Sequence, residues 1–272
     1  MCSQVSELKK LRRQYWSMKN RDVNIVTEVW GTALHVAAQR HNSYAVEKLL
    51  KAGAEVNKFC TPGNCTALYN AITGSRFYKP EIVELLINSG VNVNHPVKVS
   101  TDGRQLTAMQ VAIHKRNSEV VKSLLCFGAS INRVNQNGEL TPLELAVKVG
   151  ATRAVKVIKE HIVRFHEADL YVCDSNIASV REDGQFDELR SQCYYEIECM
   201  KRMGISEDVN STYYDILFNP CDETQSDLMK LNISNLPSVV ESFKMFKEYC
   251  DLLTCKFYKL VNRTRRLKSF HY

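Results

Sequence analysis

Apolar residues recur at helical spacing through the first two thirds of the chain, in four blocks that resemble one another. In the first block, Leu34 precedes Ala37–Ala38 by three and four residues, and Val46 precedes Leu49–Leu50 in the same way. This spacing places the apolar side chains on one face of a helix. Each block therefore predicts two short amphipathic helices that bury one face each.

Short motifs mark the beginning and the end of the blocks. Each block opens on Thr-(Ala/Pro)-(Leu/Met), and the threonines lie 34, 41 and 34 residues apart at Thr32, Thr66, Thr107 and Thr141. Threonine is a good helix N-cap because its hydroxyl accepts a hydrogen bond from a free helix N–H. The first three blocks end on a glycine, where a left-handed C-cap is needed, and an asparagine four residues later, at Gly53–Asn57, Gly90–Asn94 and Gly128–Asn132. The regular period predicts stacked repeats that share one core.

The motif Thr32–Ala38, T-A-L-H-V-A-A, resembles the opening of the ankyrin repeat, T-P-L-H-x-A, whose period is about 33 residues. The resemblance covers about residues 20–168. It implies an all-α ankyrin-repeat solenoid of helix-turn-helix units with β-hairpin loops, in which His35 is a structural hydrogen-bonding group. In the other copies the residues at the place of His35 are Tyr69, Gln110 and Glu144.

The chain is expected to have three parts. Residues 1–24 are expected to form an N-terminal helical capping half-repeat, because their apolar residues lie at helical spacing. Residues 25–168 hold about four repeats, at 30–62, 63–103, 104–137 and 138–168. Residues 169–272 are expected to be helical and to cap the fourth repeat, because a solenoid must cover its terminal apolar faces.

Two departures from the regular pattern stand out. The second copy carries an insertion around residues 76–80 and a longer hairpin after it, which indicates either a binding face or a tolerated loop. The fourth copy has Ile158-Lys159 in place of the Leu-Leu pair and lacks the glycine–asparagine ending.

A second resemblance lies beyond the repeats, in Gln192–Lys201, Ile205 and Ser211–Leu217. These residues are similar to the region after the repeats in ankyrin proteins of parasitoid wasps, which resemble the poxvirus ankyrin proteins that end in a PRANC domain. That domain is an F-box-like segment, and it implies recruitment of a cullin-type ubiquitin ligase. Residues 236–240 are similar to an F-box opening, but the Glu-Ile partner residues of the family are missing. The terminal F-box-like segment is therefore expected to be absent.

Composition and charge narrow the function classes. The 272 residues carry a net charge of +6, which favours an acidic partner surface but does not imply nucleic-acid binding. No apolar run approaches the roughly 20 residues of a membrane helix, and the N-terminus has no apolar secretory core. We expect a cytoplasmic or nuclear protein without membrane contact. The basic runs at 9–13 and 263–268 are expected to be solvated helix faces, with an import signal or nucleic-acid contact as alternatives.

Catalytic motifs do not occur in the sequence. It contains no Gly-rich phosphate loop, no G-x-S-x-G, no H-E-x-x-H and no kinase signature set. The ten cysteines form no C-x-x-C pair and have no matching histidine cluster, so no metal site is expected. The sequence thus predicts a protein that is not an enzyme, with no cofactor and no small-molecule substrate.

The predicted function is binding of another protein by a monomer. Stacked ankyrin repeats present a concave face lined by hairpin tips and first helices, where recognition residues lie. The hairpin candidates are Trp30, Lys58, Phe59, His95, Lys98, Arg104, Arg133 and Gln136. The candidates on first helices and the turns after them are Arg40, Tyr69, Arg76, Phe77, Lys115 and Arg116.

Three functions remain open from the sequence. The first is an interaction module that sequesters or scaffolds one partner, as in ankyrin proteins that resemble inhibitors of NF-κB transcription factors. The second is a substrate adaptor for a cullin-type ubiquitin ligase. The third is a nucleic-acid or chromatin binder that uses the basic segments.

Overall fold

The structure is a computed structural model, and it describes residues 22–27, 30–60, 65–74, 80–98, 105–132, 140–181, 183–206, 209–218 and 236–269. Most of the expected N-terminal half-repeat, most of the insertion around 76–80 and the loop at 133–139 lie outside these residues.

Four helix pairs stack side by side. The first helices, seven residues each, are α1 (Ala33–Gln39), α3 (Ala67–Thr73), α5 (Ala108–His114) and α7 (Pro142–Lys148). The second helices are α2 (Ser43–Lys51), α4 (Pro80–Asn88), α6 (Ser118–Cys126) and α8 (Thr152–Glu167). First helices pack against first helices and second helices against second helices, which makes two rows around one apolar core. The predicted all-α solenoid is confirmed.

The threonines cap the first helices, as predicted. The hydroxyls of Thr66, Thr107 and Thr141 each accept a hydrogen bond from the backbone N–H three residues further on. In two of these helices the threonine N–H in turn donates to the side chain of the third helical residue, to Gln110 Oε1 at 2.9 Å and to Glu144 Oε2 at 2.6 Å. This reciprocal arrangement is a capping box, and it satisfies donors that the helix itself leaves free.

His35 fills the same place in the first repeat and has the predicted structural role. Its Nδ1 accepts a hydrogen bond from the Thr32 N–H at 3.2 Å, so its Nε2 carries the proton and donates to the Cys65 carbonyl at 3.0 Å. The second bond reaches the neighbouring repeat. Burial lowers the pKa of His35, which keeps the imidazole neutral and suited to both bonds.

An asparagine at the end of each repeat ties it to the backbone of the next. Asn57 Nδ2 donates to the Gly90 carbonyl at 3.0 Å, and its Oδ1 accepts from the Asn92 N–H at 2.8 Å. Three other asparagines make the equivalent pair of bonds, and we call the set the asparagine ladder: Asn24, Asn57, Asn94 and Asn132. The asparagines of the repeat ending thus act as connectors between repeats.

The glycine C-caps are also confirmed. Gly53, Gly90 and Gly128 have φ of 87°, 84° and 86°, in the left-handed region that glycine tolerates. In the fourth repeat Asp169 takes this conformation with φ of 56°, after a second helix of 16 residues. The second helix of the first repeat has 9 residues. The left-handed turn of the fourth repeat therefore lies later along the chain, and it contains neither the glycine nor the asparagine of the other repeats, as the sequence predicts.

The longer second hairpin is present as predicted. Strand β1 (Val97–Lys98) pairs antiparallel with β2 (Gln105–Leu106), with Val97 opposite Leu106. Val97 is buried, so the strand pair is anchored to the repeats while Lys98 points to solvent.

The C-terminal part is mostly helical. It contains α9 (Asp174–Arg181), a 3₁₀ turn (Gly184–Phe186), α10 (Asp187–Arg202), the strands β3 (Gly204–Ser206) and β4 (Val209–Thr212), α11 (Tyr213–Phe218), α12 (Leu236–Ser242), a second 3₁₀ turn (Phe243–Met245) and α13 (Cys250–Ser269). Helices α9 and α10 pack on α8, while α13 packs on α4 and α6. The region thus covers the second-helix row over repeats two to four, which is more than a cap on the fourth repeat.

The junction between the two parts is continuous. The last rung of the ladder, Asn132, donates to the Tyr171 carbonyl at 2.9 Å and accepts from the Cys173 N–H at 2.9 Å. The apolar core of the repeats runs on into Val180 and Phe186. A second core, rich in aromatic side chains, holds the rest of the C-terminal part together around α11 and α13.

Candidate protein-binding surface

The candidate surface consists of the hairpin segments and the exposed ends of the first helices, and we call it the hairpin and first-helix surface. Nine of the fourteen predicted binding residues lie in the described part of the chain. The other five fall outside it: Arg76, Phe77, Arg104, Arg133 and Gln136.

Two predicted hairpin residues form an aromatic pair across neighbouring repeats. The rings of Phe59 and His95 stack with centroids 4.4 Å apart and planes 23° from parallel. Phe59 remains 41% exposed. Because the stack fixes one ring against the other, Phe59 offers a rigid apolar surface, which loses little entropy when a partner covers it.

The remaining hairpin candidates differ in exposure. Lys98 is exposed on β1. Lys58 is half-buried, with its Nζ 3.3 Å from Glu55 Oε2. Trp30 is also half-buried, in a turn where its backbone N–H donates to Thr27 Oγ1 at 3.2 Å. Lys98 is therefore the more accessible of the two cations.

Two of the first-helix candidates donate hydrogen bonds to neighbouring repeats, and the other two differ in how exposed they are. Arg40 is exposed just after α1, and Tyr69 is half-buried on α3. Lys115 donates to the Thr73 carbonyl of the preceding repeat at 3.0 Å. Arg116, whose φ is 53°, donates to the Val149 carbonyl of the following repeat at 2.7 Å. Both cations connect repeats while their side chains stay at the surface.

Sequence reasoning missed two basic positions that the repeat places in register. His114 and Lys148 each lie seven residues after the threonine of their repeat and are exposed. Arg40 and Lys115 lie eight residues after theirs. The first-helix row therefore carries a series of basic groups at its helix ends, which an alignment of the four copies could have shown.

The first-helix row also has an apolar position that is buried in the first three repeats and exposed in the fourth. Val147, six residues after Thr141, is 62% exposed. The equivalent Ala38, Ile72 and Ile113 are at most 6% exposed, because the next first helix covers them. The C-terminal part packs on the second-helix row and leaves this position of α7 accessible.

The described part of the chain lacks two features that are typical of other classes of protein. Among the described residues, no group of three or more His, Cys, Asp or Glu side chains is arranged to hold a metal ion. None of the helices in that part of the chain combines the length and the apolar character required to cross a bilayer.

Comparison with known families identifies the class of protein. The family model for ankyrin repeats in three copies matches residues 8–97 and 76–169. The chain belongs to the ankyrin-repeat family, whose members are generally non-enzymatic protein-binding modules.

Proteins similar to this chain include viral and avian ones. The chain is 26% identical to the Fowlpox virus (strain NVSL) ankyrin repeat protein FPV031 over 221 residues, 76% of this chain and 61% of that protein. It is 32% identical to FPV223 of the same virus over 146 residues, 53% of this chain and 92% of that protein. It is 29% identical to the nuclear factor NF-kappa-B p105 subunit of Gallus gallus over 129 residues, 47% of this chain and 12% of that protein. The chain thus spans less than two thirds of the length of FPV031.

Proposed function

We propose that this chain binds a partner protein with an acidic surface through the hairpin and first-helix surface, and that this binding modulates signalling. The observation that carries the proposal is the series of exposed basic groups at the C-terminal ends of the first helices. The Phe59–His95 stack adds an aromatic group in the hairpin segments. Aromatic and arginine side chains are enriched at protein interfaces.

The packing of the C-terminal part supports this choice of face. It covers α4, α6 and α8 of the second-helix row, so a partner cannot lie on those helices without displacing it. The first-helix row keeps its basic groups and Val147 exposed. Complementary charge would steer the acidic partner toward this side and fix its orientation.

The signalling part of the proposal is supported by the relatives. The similarity to the p105 subunit of an NF-kappa-B factor lies in about half of this chain. Sequestration or scaffolding of one signalling protein by the repeats fits a member of the ankyrin-repeat family, whose members are generally non-enzymatic.

Affinity capture with a matched pair of charge reversals tests the proposal. Arg40→Glu with Lys148→Glu changes the first-helix row, and Lys51→Glu with Lys156→Glu changes the second helices by the same total charge. Lys51 and Lys156 have side chains 68% and 74% exposed, so neither change disturbs the core. We expect the first pair to abolish capture of the partner and the second to preserve it. Equal capture by both variants, with both folded by circular dichroism, would show that the face is wrong.

The two other functions remain predictions that the same capture addresses. Recovery of a cullin-type ligase subunit with the wild-type chain would favour the adaptor. Recovery that depends on nucleic acid, and that declines steeply with salt, would favour the nucleic-acid binder.

A further inference from the structure

The third repeat and the last helix meet at two side-chain pairs. Lys122 Nζ lies 2.7 Å from Asp251 Oδ2, and one turn further along both helices the thiols of Cys126 and Cys255 are hydrogen-bonded to each other. Because both pairs advance by four residues on α6 and on α13, the helices run in the same direction here and present matching faces. This alignment holds the two sulfurs in contact.

A cavity gives solvent access to one of these thiols. It has a volume of about 270 Å³ and lies between α6, α8 and the start of α13. Cys126 contributes to its wall, which also holds three cations and three carboxylates: Lys122, Arg164, Lys247, Glu160, Glu248 and Asp251. A molecule of hydrogen peroxide is little larger than water, which needs about 30 Å³, so the cavity can admit it.

The two thiols have different electronic surroundings. The hydrogen bond from Cys255 lowers the pKa of Cys126 against burial and the negative charge of Asp251, which both raise it. The charges of Lys122 and Arg164 make smaller contributions to the lowering. The same hydrogen bond, together with burial, raises the pKa of Cys255. Cys126 is thus the group disposed to react as a thiolate, and Cys255 is its protonated neighbour.

We propose that Cys126 and Cys255 form a peroxide-sensitive dithiol that links the C-terminal helix covalently to the third repeat. The Cys126 thiolate attacks hydrogen peroxide, the O–O bond breaks, and the products are a sulfenic acid and hydroxide. The sulfur of Cys255 then displaces the sulfenic hydroxyl, which leaves as water after it takes up the Cys255 proton. Sulfur is oxidised and peroxide oxygen is reduced, so two thiols and one peroxide yield a disulfide and two waters once the hydroxide is protonated.

The chain carries internal comparisons for this reaction. Cys193 is fully buried in the C-terminal core, and burial raises its pKa to about 12, so it should stay reduced. Cys60 and Cys65 lie opposite each other in a β-bridge, but burial is the main cause that raises the pKa of Cys65 to about 12. Oxidation of this second pair should therefore be slower than oxidation of Cys126.

Peptide mapping of the full chain tests the assignment. The reduced protein is treated with one equivalent of hydrogen peroxide, alkylated, digested and analysed by mass spectrometry. We expect a peptide pair joined through Cys126 and Cys255 that reductant separates, with Cys193 recovered alkylated. In Cys255→Ser the linked pair should be absent, and dimedone should label a sulfenic acid at Cys126.

Two charge variants separate the electrostatic effect from simple loosening of the contact. Lys122→Gln and Asp251→Asn break the same ion pair, but the first removes a cation near Cys126 and the second removes an anion. We expect disulfide formation to slow about fivefold in Lys122→Gln and to become faster in Asp251→Asn. Recovery of both cysteines alkylated in the wild type, or equal slowing in both variants, would overturn the proposal.

Discussion

Replacement of one rung of the asparagine ladder should weaken the whole stack. Asn57→Ala removes two hydrogen bonds, of 3.0 and 2.8 Å, that join the first repeat to the backbone of the second. A hydrogen bond between neutral groups contributes about 0.5–1.5 kcal/mol net, so the two together contribute about 1–3 kcal/mol. Because Asn57 is exposed, water can replace part of this loss, and we expect about 1–2 kcal/mol.

Urea unfolding followed by circular dichroism measures this loss. With a slope of about 3 kcal/mol per molar urea, the midpoint should decrease by roughly 0.3–0.7 M. Asn88→Ala is the matched control, because Asn88 is exposed at the end of α4 and the change removes the same side chain. If Asn57→Ala and Asn88→Ala unfold at the same urea concentration, the ladder does not stabilise the stack and the reasoning is refuted.

Three further changes test other parts of the structure. Burial lowers the pKa of His161 to about 3, below the value near 6.5 of an unfolded chain, so the unfolded state binds the extra proton between these values. Neutral His161 therefore does not reduce the free energy of unfolding above pH 6.5, and this free energy decreases as the pH falls below that value. Between pH 7 and 5 it should decrease by about 2 kcal/mol more in the wild type than in His161→Leu. In Gly31→Ala the new Cβ would lie 2.4 Å from Cys60 Cβ, whereas Gly53→Ala, also at positive φ, meets no atom within 4 Å. Thermal unfolding should therefore show a larger loss for Gly31→Ala, by about 1–3 kcal/mol, and equal losses would contradict the described packing. Glu196 is buried and its two oxygens accept from one backbone N–H just before α13 at 3.2 and 3.0 Å. Glu196→Leu leaves that donor unpaired and should cost about 1–3 kcal/mol, while Glu196→Gln should retain part of the stability.

Local chemistry explains which features of the fold the sequence could predict. The caps at Thr66, Thr107 and Thr141 and the left-handed glycines depend on single residues and their immediate neighbours, so their identity predicts their conformation. The helix pairs follow from apolar spacing in the same way. All of these features recur at a fixed period, and repetition makes each one easier to recognise.

Features that depend on distant residues could not be read in this way. The second helix of the fourth repeat continues to Glu167, and the left-handed position then falls on Asp169. The added turns contact residues far along the chain, since the Tyr249 hydroxyl donates to the Arg164 carbonyl at 2.8 Å. The bonds of Lys115 and Arg116 to carbonyls of other repeats require knowledge of which backbone groups lie nearby. The position of α13 on α4 and α6 likewise depends on contacts between residues far apart in sequence.

The exposure of the candidate residues was easier to predict than the contacts they make. Repeat geometry predicts exposed positions on the hairpins and first helices, and Phe59 and Lys98 are exposed there. The stacking of Phe59 on His95 and the exposure of Val147 depend on how neighbouring repeats and the C-terminal part pack. A single repeat examined by itself contains neither feature.

Hydrogen exchange of the full chain tests whether the repeats and the C-terminal part form one continuous stack. The backbone N–H groups that donate to the ladder asparagines belong to Glu55, Asn92, Ser130 and Cys173. If the stack is continuous, the Cys173 amide should exchange about as slowly as the other three, at least roughly 100-fold slower than in an unfolded chain. Exchange of Cys173 and α9 at unfolded rates, while the three repeat amides stay protected, would contradict the account.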